Sequence, residues 1–233
     1  MTGDRSLGGE PPTGVVSPDG SPVDIYRALP RPDDADTIHA AIPAGSSILD
    51  LGAGTGRFAR ALASLGHPVI AVDQEPAMLD GLDAEPGIST VVGSIETLRL
   101  DETVDVALLA SHLLNDDALG RAALATAAHH LAPDGWLVAE VYAPNIDWAT
   151  AVGHRSILGP VGVTLMRAVV DGDVLDAAVR YDLGERVWDQ PFVAVLLDRR
   201  ALDTRLLEAG FVLERWLDAG RRWFLARRVP QSV

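Results

Sequence analysis

The sequence predicts an α/β fold, doubly wound around a seven-stranded, mostly parallel sheet, with an antiparallel β insertion after the fifth strand. Three observations predict it. Short apolar runs alternate with amphipathic helical segments from Ser47 to Tyr142, which is the β-α repeat of a parallel sheet. The first run holds Asp50 near its end and opens into three glycines at alternate positions, Gly52, Gly54 and Gly56. After Tyr142 the helical segments give way to β-runs joined by polar turns, the signature of antiparallel hairpins.

Residues 1–22 are rich in Gly, Pro and Ser with little apolar periodicity, so a disordered tail is expected there. The domain is expected over residues 23–233, with residues 143–198 as its insertion. A short helix is expected between Ser21 and Pro30, near the mouth of the site, and another from Asp34 to Ala41. Strand one is Ser47–Leu51, followed by a helix, Thr55–Leu65, that stops at Gly66 as helices often do. Strand two, Val69–Val72, leads into a helix over about Glu75–Leu82, with Met78 and Leu79 facing inward. Strand three is Thr90–Val92. Strand four, Val104–Ala110, is a nearly continuous apolar run, as a parallel strand covered on both faces requires. A helix over Asp116–Leu131, a turn at Ala132-Pro133-Asp134-Gly135 and strand five at Trp136–Tyr142 complete the repeat.

In the insertion, Val163–Val170, Val174–Tyr181 and Val187–Leu197 read as three antiparallel strands. Pro191 marks a bulge or an edge in the third. A helix, Arg200–Ala209, and two closing strands, Phe211–Leu217 and Arg222–Ala226, end the domain.

The turn between strand one and its helix is where backbone N–H groups meet a ligand, because glycine has no Cβ to block the approach. Asp73, about twenty residues after Gly52, closes strand two where such folds present a carboxylate to a ribose diol. A nicotinamide dinucleotide site would need its third small residue at position 57, which is Arg57. The spacing G-x-G-x-G, with Asp50 upstream and Asp73 downstream, resembles motif I of the class I S-adenosylmethionine-dependent methyltransferases of small-molecule type. From Ser46 to Arg228 the layout is also similar to that family's Rossmann-like methyltransferase fold, including the reversed last strand.

The resemblance implies S-adenosyl-L-methionine as cofactor and S-adenosyl-L-homocysteine as product. It places Gly52, Ala53, Gly54 and Gly56 around the methionine moiety and Asp73 on the ribose, with Asp50 as a further cofactor contact whose alternative is to cap the turn. Gln74 and Met78 would lie beside the adenosine, Ser94 and Ile95 at the adenine, and Ala110 and Ser111 at the methionine end. Tyr26 and Arg31 would close over the cofactor, Arg31 by pairing with its carboxylate.

Methyl transfer needs an in-line nucleophile, dry surroundings, and a base only if the acceptor arrives protonated. His112, after strand four, is the candidate base, since an ordinary histidine titrates near neutrality; the alternative is that it only shapes the pocket. Asn115, Tyr142, Trp148, His154 and Trp188 join His112 as substrate contacts. The remaining histidines, His39, His67, His129 and His130, read as structural.

Composition narrows the chemistry further. There is no cysteine and no lysine, so cysteine nucleophiles, lysine Schiff bases and a P-loop lysine are excluded. The net charge of −14 argues against a nucleic-acid partner. The 233 residues contain neither a membrane-length apolar run nor a signal-peptide pattern, so a cytoplasmic protein without a membrane partner is expected. No metal cluster of the catechol-methylating type is visible, and metal independence is expected. The expected assembly is a monomer or homodimer acting on a small molecule, a secondary metabolite by analogy, through an O or N atom. The alternative is a protein of this fold that binds the same cofactor for an isomerisation or cyclisation.

Overall fold

The computed structural model describes residues 15–17 and 20–229. In chain order, α1 (Val23–Ala28) and α2 (Asp34–Ala41) precede β1 (Ile48–Leu51), α3 (Arg57–Ser64), β2 (Val69–Asp73), α4 (Pro76–Leu79) and β3 (Ile88–Val92). Next come β4 (Val104–Leu109), a single 3₁₀ turn at Leu113–Asn115, α5 (Asp117–His130), β5 (Leu131–Glu140) and α6 (Trp148–Ala151). The strands β6 (Arg155–Leu158), β7 (Val161–Asp171), β8 (Val174–Leu183) and β9 (Arg186–Val195) follow, then α7 (Arg199–Glu208), β10 (Phe211–Trp216) and β11 (Trp223–Arg228). The chain forms two compact units. The larger joins Arg31–Ile146 to the segment from Ala194 onward, and the smaller joins the segment up to Pro30 to Asp147–Val193.

The larger unit is built on a seven-stranded sheet in the order β10-β11-β5-β4-β1-β2-β3. β1 to β5 pair in parallel, and β11 runs antiparallel to both β5 and β10. Side chains alternate across this sheet, so each strand feeds two cores. Leu49, Leu51, Leu109, Leu137, Ala139 and Phe224 face one core, whereas Ile48, Val106, Leu108, Val138, Trp223 and Leu225 face the other, with Phe58 and Leu62 of α3. By the same alternation Asp50 and Glu140 fall on the face of Ile48 and Val138, on strands that flank β4. Two acids at the carboxyl ends of buried strands are costly unless something there uses them.

The expected turn at Ala132–Gly135 is absorbed into β5. Leu131 already pairs with Val104, and the register shifts before Trp136 pairs with Val106. A bulge lets Pro133 sit in a strand without leaving a ladder bond unmade.

The smaller unit carries a four-stranded sheet in the order β6-β7-β8-β9. Four strands stand where three were expected, since β6 occupies a stretch read as linker. Its residues are exposed throughout, so no period-2 pattern announces it. Pro191 lies on β9, an edge strand, where a missing N–H costs little. Ion pairs bridge neighbouring strands, Arg167 to Asp176 and Arg180 to Asp189, each through two short hydrogen bonds. Ile25, Val161 and Trp188 form the core, and Arg186 pairs with Asp24 of α1.

The leading segment departs from the expected structureless tail where it is described; the expectation for residues 1–14, 18 and 19 lies outside the described residues. Val16 and Pro22 form an antiparallel bridge, and Ser17 N–H donates to the Ser21 carbonyl at 3.0 Å. No helix among the described residues is long and apolar enough to cross a membrane.

Candidate functional site

Leu51 ends β1 in the middle of the sheet, and the chain leaves it through Gly52 (φ 73°) and Gly54 (φ 55°), both left-handed. A side chain costs about 1–2 kcal/mol in that conformation, which explains the glycines. They are not equivalent. A Cβ on Gly54 would meet nothing within 4 Å, so this position borders open space. A Cβ on Gly56 would fall 2.3 Å from Leu82, so the third glycine is there to let α3 approach the segment after α4. Gly52 lies between, near Ile95 and Leu113. Ala53 N–H, like that of Gly52, donates to the Val72 carbonyl, which ties the turn to β2.

Asp73 ends β2, and its carboxylate reaches back to the turn. One oxygen accepts from Gly54 N–H at 2.8 Å and the other from Glu75 N–H at 2.9 Å. Asp50 behaves differently. It is 2% exposed, and its Oδ2 has no hydrogen-bond partner among the described residues. Burial, with Asp73 nearby, pushes its carboxyl up to about 7. An orphaned buried carboxyl beside an open left-handed turn suits a ligand that brings a donor or a positive group.

A second cluster forms after β4. Ser111 (φ 55°) and His112 (φ 58°) are consecutive non-glycine residues in the left-handed region, a strain that surrounding contacts must hold. The His112 ring stacks on Tyr142, with centroids 4.0 Å apart. Its Nε2 lies 3.8 Å from Glu140 Oε1, and its Nδ1 is buried without a partner among the described residues. Burial, and then the Arg222 guanidinium, holds the imidazole down to about 4. Burial raises Glu140 to about 7 against the pull of Arg222, with Asp34 adding to the rise and the Ser111 and His112 amides opposing it. At neutral pH the histidine is therefore uncharged, and the pair is no salt bridge.

Among the other anticipated residues, Met78 is buried, Gln74 is exposed, and Ala110 packs into the core below the Ser111 turn. Ser94 donates to Glu96, while Ile95 packs near Gly52 and its carbonyl accepts from Thr126. Three of the expected contacts have partners within the fold. Asn115, expected to touch substrate, is 1% exposed, and its carboxamide is engaged by the backbone. Its Nδ2 donates to Val195 O at 2.7 Å and its Oδ1 accepts from Tyr142 N–H at 3.2 Å. Arg31, expected to pair with a cofactor carboxylate, forms two hydrogen bonds to Asp36, at 3.0 and 2.6 Å. Trp188 is consumed by the core of the smaller unit and covered by Arg186. In that unit Tyr26 lies 6.4 Å from Tyr181, ring to ring, Trp148 begins α6, and His154 is exposed.

Glu140 and Arg222 were not anticipated. Glu140 repeats the signal of Asp50, an acid near the end of an apolar strand, in Val138-Ala139-Glu140-Val141. Arg222, the first residue of the expected last strand, binds Asp34 at 2.8 and 2.9 Å. The structural reading of two other histidines is explained by geometry. His67 pairs with His39 (2.9 Å) and with the Ser46 carbonyl (3.1 Å). His130 accepts from Leu100 N–H and faces the Thr126 carbonyl. Among the described residues no group of three or more acids and histidines is arranged to hold a metal ion.

Comparison with known proteins bears on this geometry. Residues 48–135 match the family described as "Methyltransferase domain". An uncharacterized methyltransferase of Mycobacterium tuberculosis is 38% identical over 94 residues, 39% of each chain. The cypemycin N-terminal methyltransferase of a Streptomyces species is 32% identical over 124 residues, 51% of each chain. The matches thus span about half or less of these curated relatives. Among solved structures, CalS10, an amino pentose methyltransferase of Micromonospora echinaspora, is 27% identical with a TM-score of 0.65, over 84% of this chain and 89% of that one.

Proposed function

We propose that this chain is a class I S-adenosylmethionine-dependent methyltransferase that methylates a nitrogen of a small molecule of the secondary-metabolite type. The observation that carries the reading is the buried Asp50 carboxyl, whose Oδ2 has no hydrogen-bond partner among the described residues, beside the open turn at Gly54, with Asp73 bound to that turn. These residues fit the cofactor: a carboxyl lacking a donor, a turn with room where a Cβ would stand, and a second carboxylate at the end of β2. Asp50 and the Gly52–Gly54 turn would hold the methionine end and Asp73 the ribose.

The bound cofactor supplies an electrophilic methyl group on a sulfonium. The protein's task is to present the acceptor in line with that methyl and to keep water out. His112, neutral and stacked on Tyr142, forms a wall of this space, and its depressed basicity suits shaping and hydrogen bonding better than proton removal. Nitrogen is favoured over oxygen because two similar proteins are named as an amino pentose methyltransferase and an N-terminal methyltransferase. No observation favours the isomerisation or cyclisation alternative.

The test has two steps. Calorimetry should show binding of S-adenosylmethionine and S-adenosylhomocysteine and none of NADH. Methyl-labelled S-adenosylmethionine should then label amino sugars or peptide N-termini rather than their hydroxylated counterparts. Binding of NADH instead would sink the reading.

A further inference from the structure

Glu140 shares the one cation that acts on it with a second acid, Asp34. Its side chain is 10% exposed at the end of β5, beside the strained Ser111–His112 turn and the His112–Tyr142 stack. The charged groups acting on it are Arg222, before β11, and Asp34, on α2. Arg222 is bound to Asp34 through two oxygens, so that pair is already neutral. His112, the titratable neighbour on the other side, is uncharged at neutral pH. An ionised Glu140 therefore has two amides, a neutral ring and, among the described residues, a single acting cation, Arg222, which it shares with Asp34. Such a carboxyl discriminates strongly, since a buried charge is stabilised by an opposite charge within a few ångströms and by little else.

Resting on the methyltransferase reading above, we propose that Glu140 is the recognition group for a protonated amine on the methyl acceptor, and that it takes one proton from that amine before transfer. The ammonium N–H bond breaks and the proton moves to a Glu140 oxygen, leaving a neutral amine with its lone pair. The lone pair forms the new N–C bond as the S–C bond of the sulfonium donor breaks. The positive charge passes from sulfur to the methylated nitrogen, and Glu140 returns its proton to solvent. A hydroxyl acceptor offers Glu140 no charge, and an anionic group beside it is repelled. The chemistry selects amines.

The experiment uses the full chain loaded with S-adenosylhomocysteine, with benzylammonium as probe and benzyl alcohol as its neutral counterpart. Carbon-13 NMR follows the Glu140 carboxyl, assigned by its loss in Glu140→Gln. Benzylammonium should lower the titration midpoint of Glu140 by about one pH unit, and benzyl alcohol should leave it in place. Glu140→Gln, which keeps the shape, should bind S-adenosylhomocysteine as the wild type does and bind benzylammonium at least about tenfold more weakly. If the homologue binds but benzylammonium leaves Glu140 unmoved, Glu140 is only a brace for the turn and this proposal falls alone. If the homologue does not bind, the methyltransferase reading fails first and takes the proposal with it.

Discussion

The imidazole of His112 lies 4.0 Å from the ring of Tyr142, centroid to centroid, with the two planes 22° from parallel. The stack joins the turn after β4 to the segment after β5, and it is clamped from below by Asn115, whose carboxamide accepts from Tyr142 N–H and donates to the Val195 carbonyl. With its Nδ1 buried the ring is neutral at pH 7, and the role proposed for it is to shape the site. His112→Phe should keep the stack and leave cofactor affinity unchanged, while His112→Ala should lower kcat further by opening the wall. Steady-state kinetics of the two variants compares them. A His112→Phe enzyme as impaired as His112→Ala would return the histidine to an acid–base role.

Asn115→Ala removes both ends of that clamp and leaves the half-buried Val195 carbonyl and Tyr142 N–H without the carboxamide. The expected loss is about 1–3 kcal/mol of stability. In a chain of this size each kcal/mol lowers Tm by about 2–4 °C. Thermal melting reads this directly. A variant with wild-type Tm and a raised KM for the acceptor would show that Asn115 meets substrate after all.

Asp73→Ala frees the Gly54 and Glu75 amides and removes the carboxylate from the ligand face of β2. Affinity for S-adenosylhomocysteine should fall by about 1–3 kcal/mol, roughly 5- to 150-fold in Kd. Calorimetry measures it, and an unchanged Kd would remove Asp73 from the cofactor site.

The glycines separate binding from packing. Gly54→Ala adds a Cβ into open space, whereas Gly56→Ala drives one to 2.3 Å from Leu82. Both incur left-handed strain of about 1–2 kcal/mol. Beyond that shared cost, Gly54→Ala should lose cofactor affinity, and Gly56→Ala should lose Tm and regain part of it when combined with Leu82→Ala. Melting and calorimetry on the same four proteins test both halves. Equal effects of the two glycine substitutions would dissolve the distinction.

Asp50 makes a pH prediction. Its folded-state carboxyl sits near 7, well above the ordinary value near 4, so between those values the folded protein binds more protons than the unfolded chain. The Asp50 contribution therefore falls as pH rises from about 4 to about 7 and levels off above. His112 works with the opposite sign. Held down to about 4 from about 6.5, it costs stability as pH falls through that window. Asp50→Asn leaves the His112 contribution in place, so the Tm difference between variant and wild type isolates Asp50. In the cofactor-free protein that difference should grow in the variant's favour from pH 4 to 7. A difference independent of pH would mean that Asp50 is not buried as an ionisable group.

The core of the parallel sheet and the cofactor turn were legible in the sequence because their signals are local. Val104–Leu109 announces a strand covered on both faces by being apolar throughout, and Gly52, Gly54 and Gly56 announce a left-handed turn by lacking a Cβ. β6 was not legible, because all four of its residues are exposed and its existence rests on pairing with β7. The bulge in β5 was hidden for a related reason, since Pro133-Asp134-Gly135 has turn chemistry whether or not the flanking residues pair with β4.

By itself, then, the sequence determined the β-α order of the parallel sheet, the place of the glycine turn after β1 and the acids that end β1 and β2. Periodicity, glycine and strand-end acids depend on neighbours a few residues apart. Only the tertiary structure decided which polar side chains remain available to a ligand. Asn115, Arg31 and Trp188 have partners in Val195, Asp36 and Ile25 that nothing in the sequence announces. Glu140 became a candidate only when Arg222 was found bound to Asp34, 188 residues away along the chain. A hydrogen-bond donor or a charge acts on whatever lies within a few ångströms, and folding alone determines what that is.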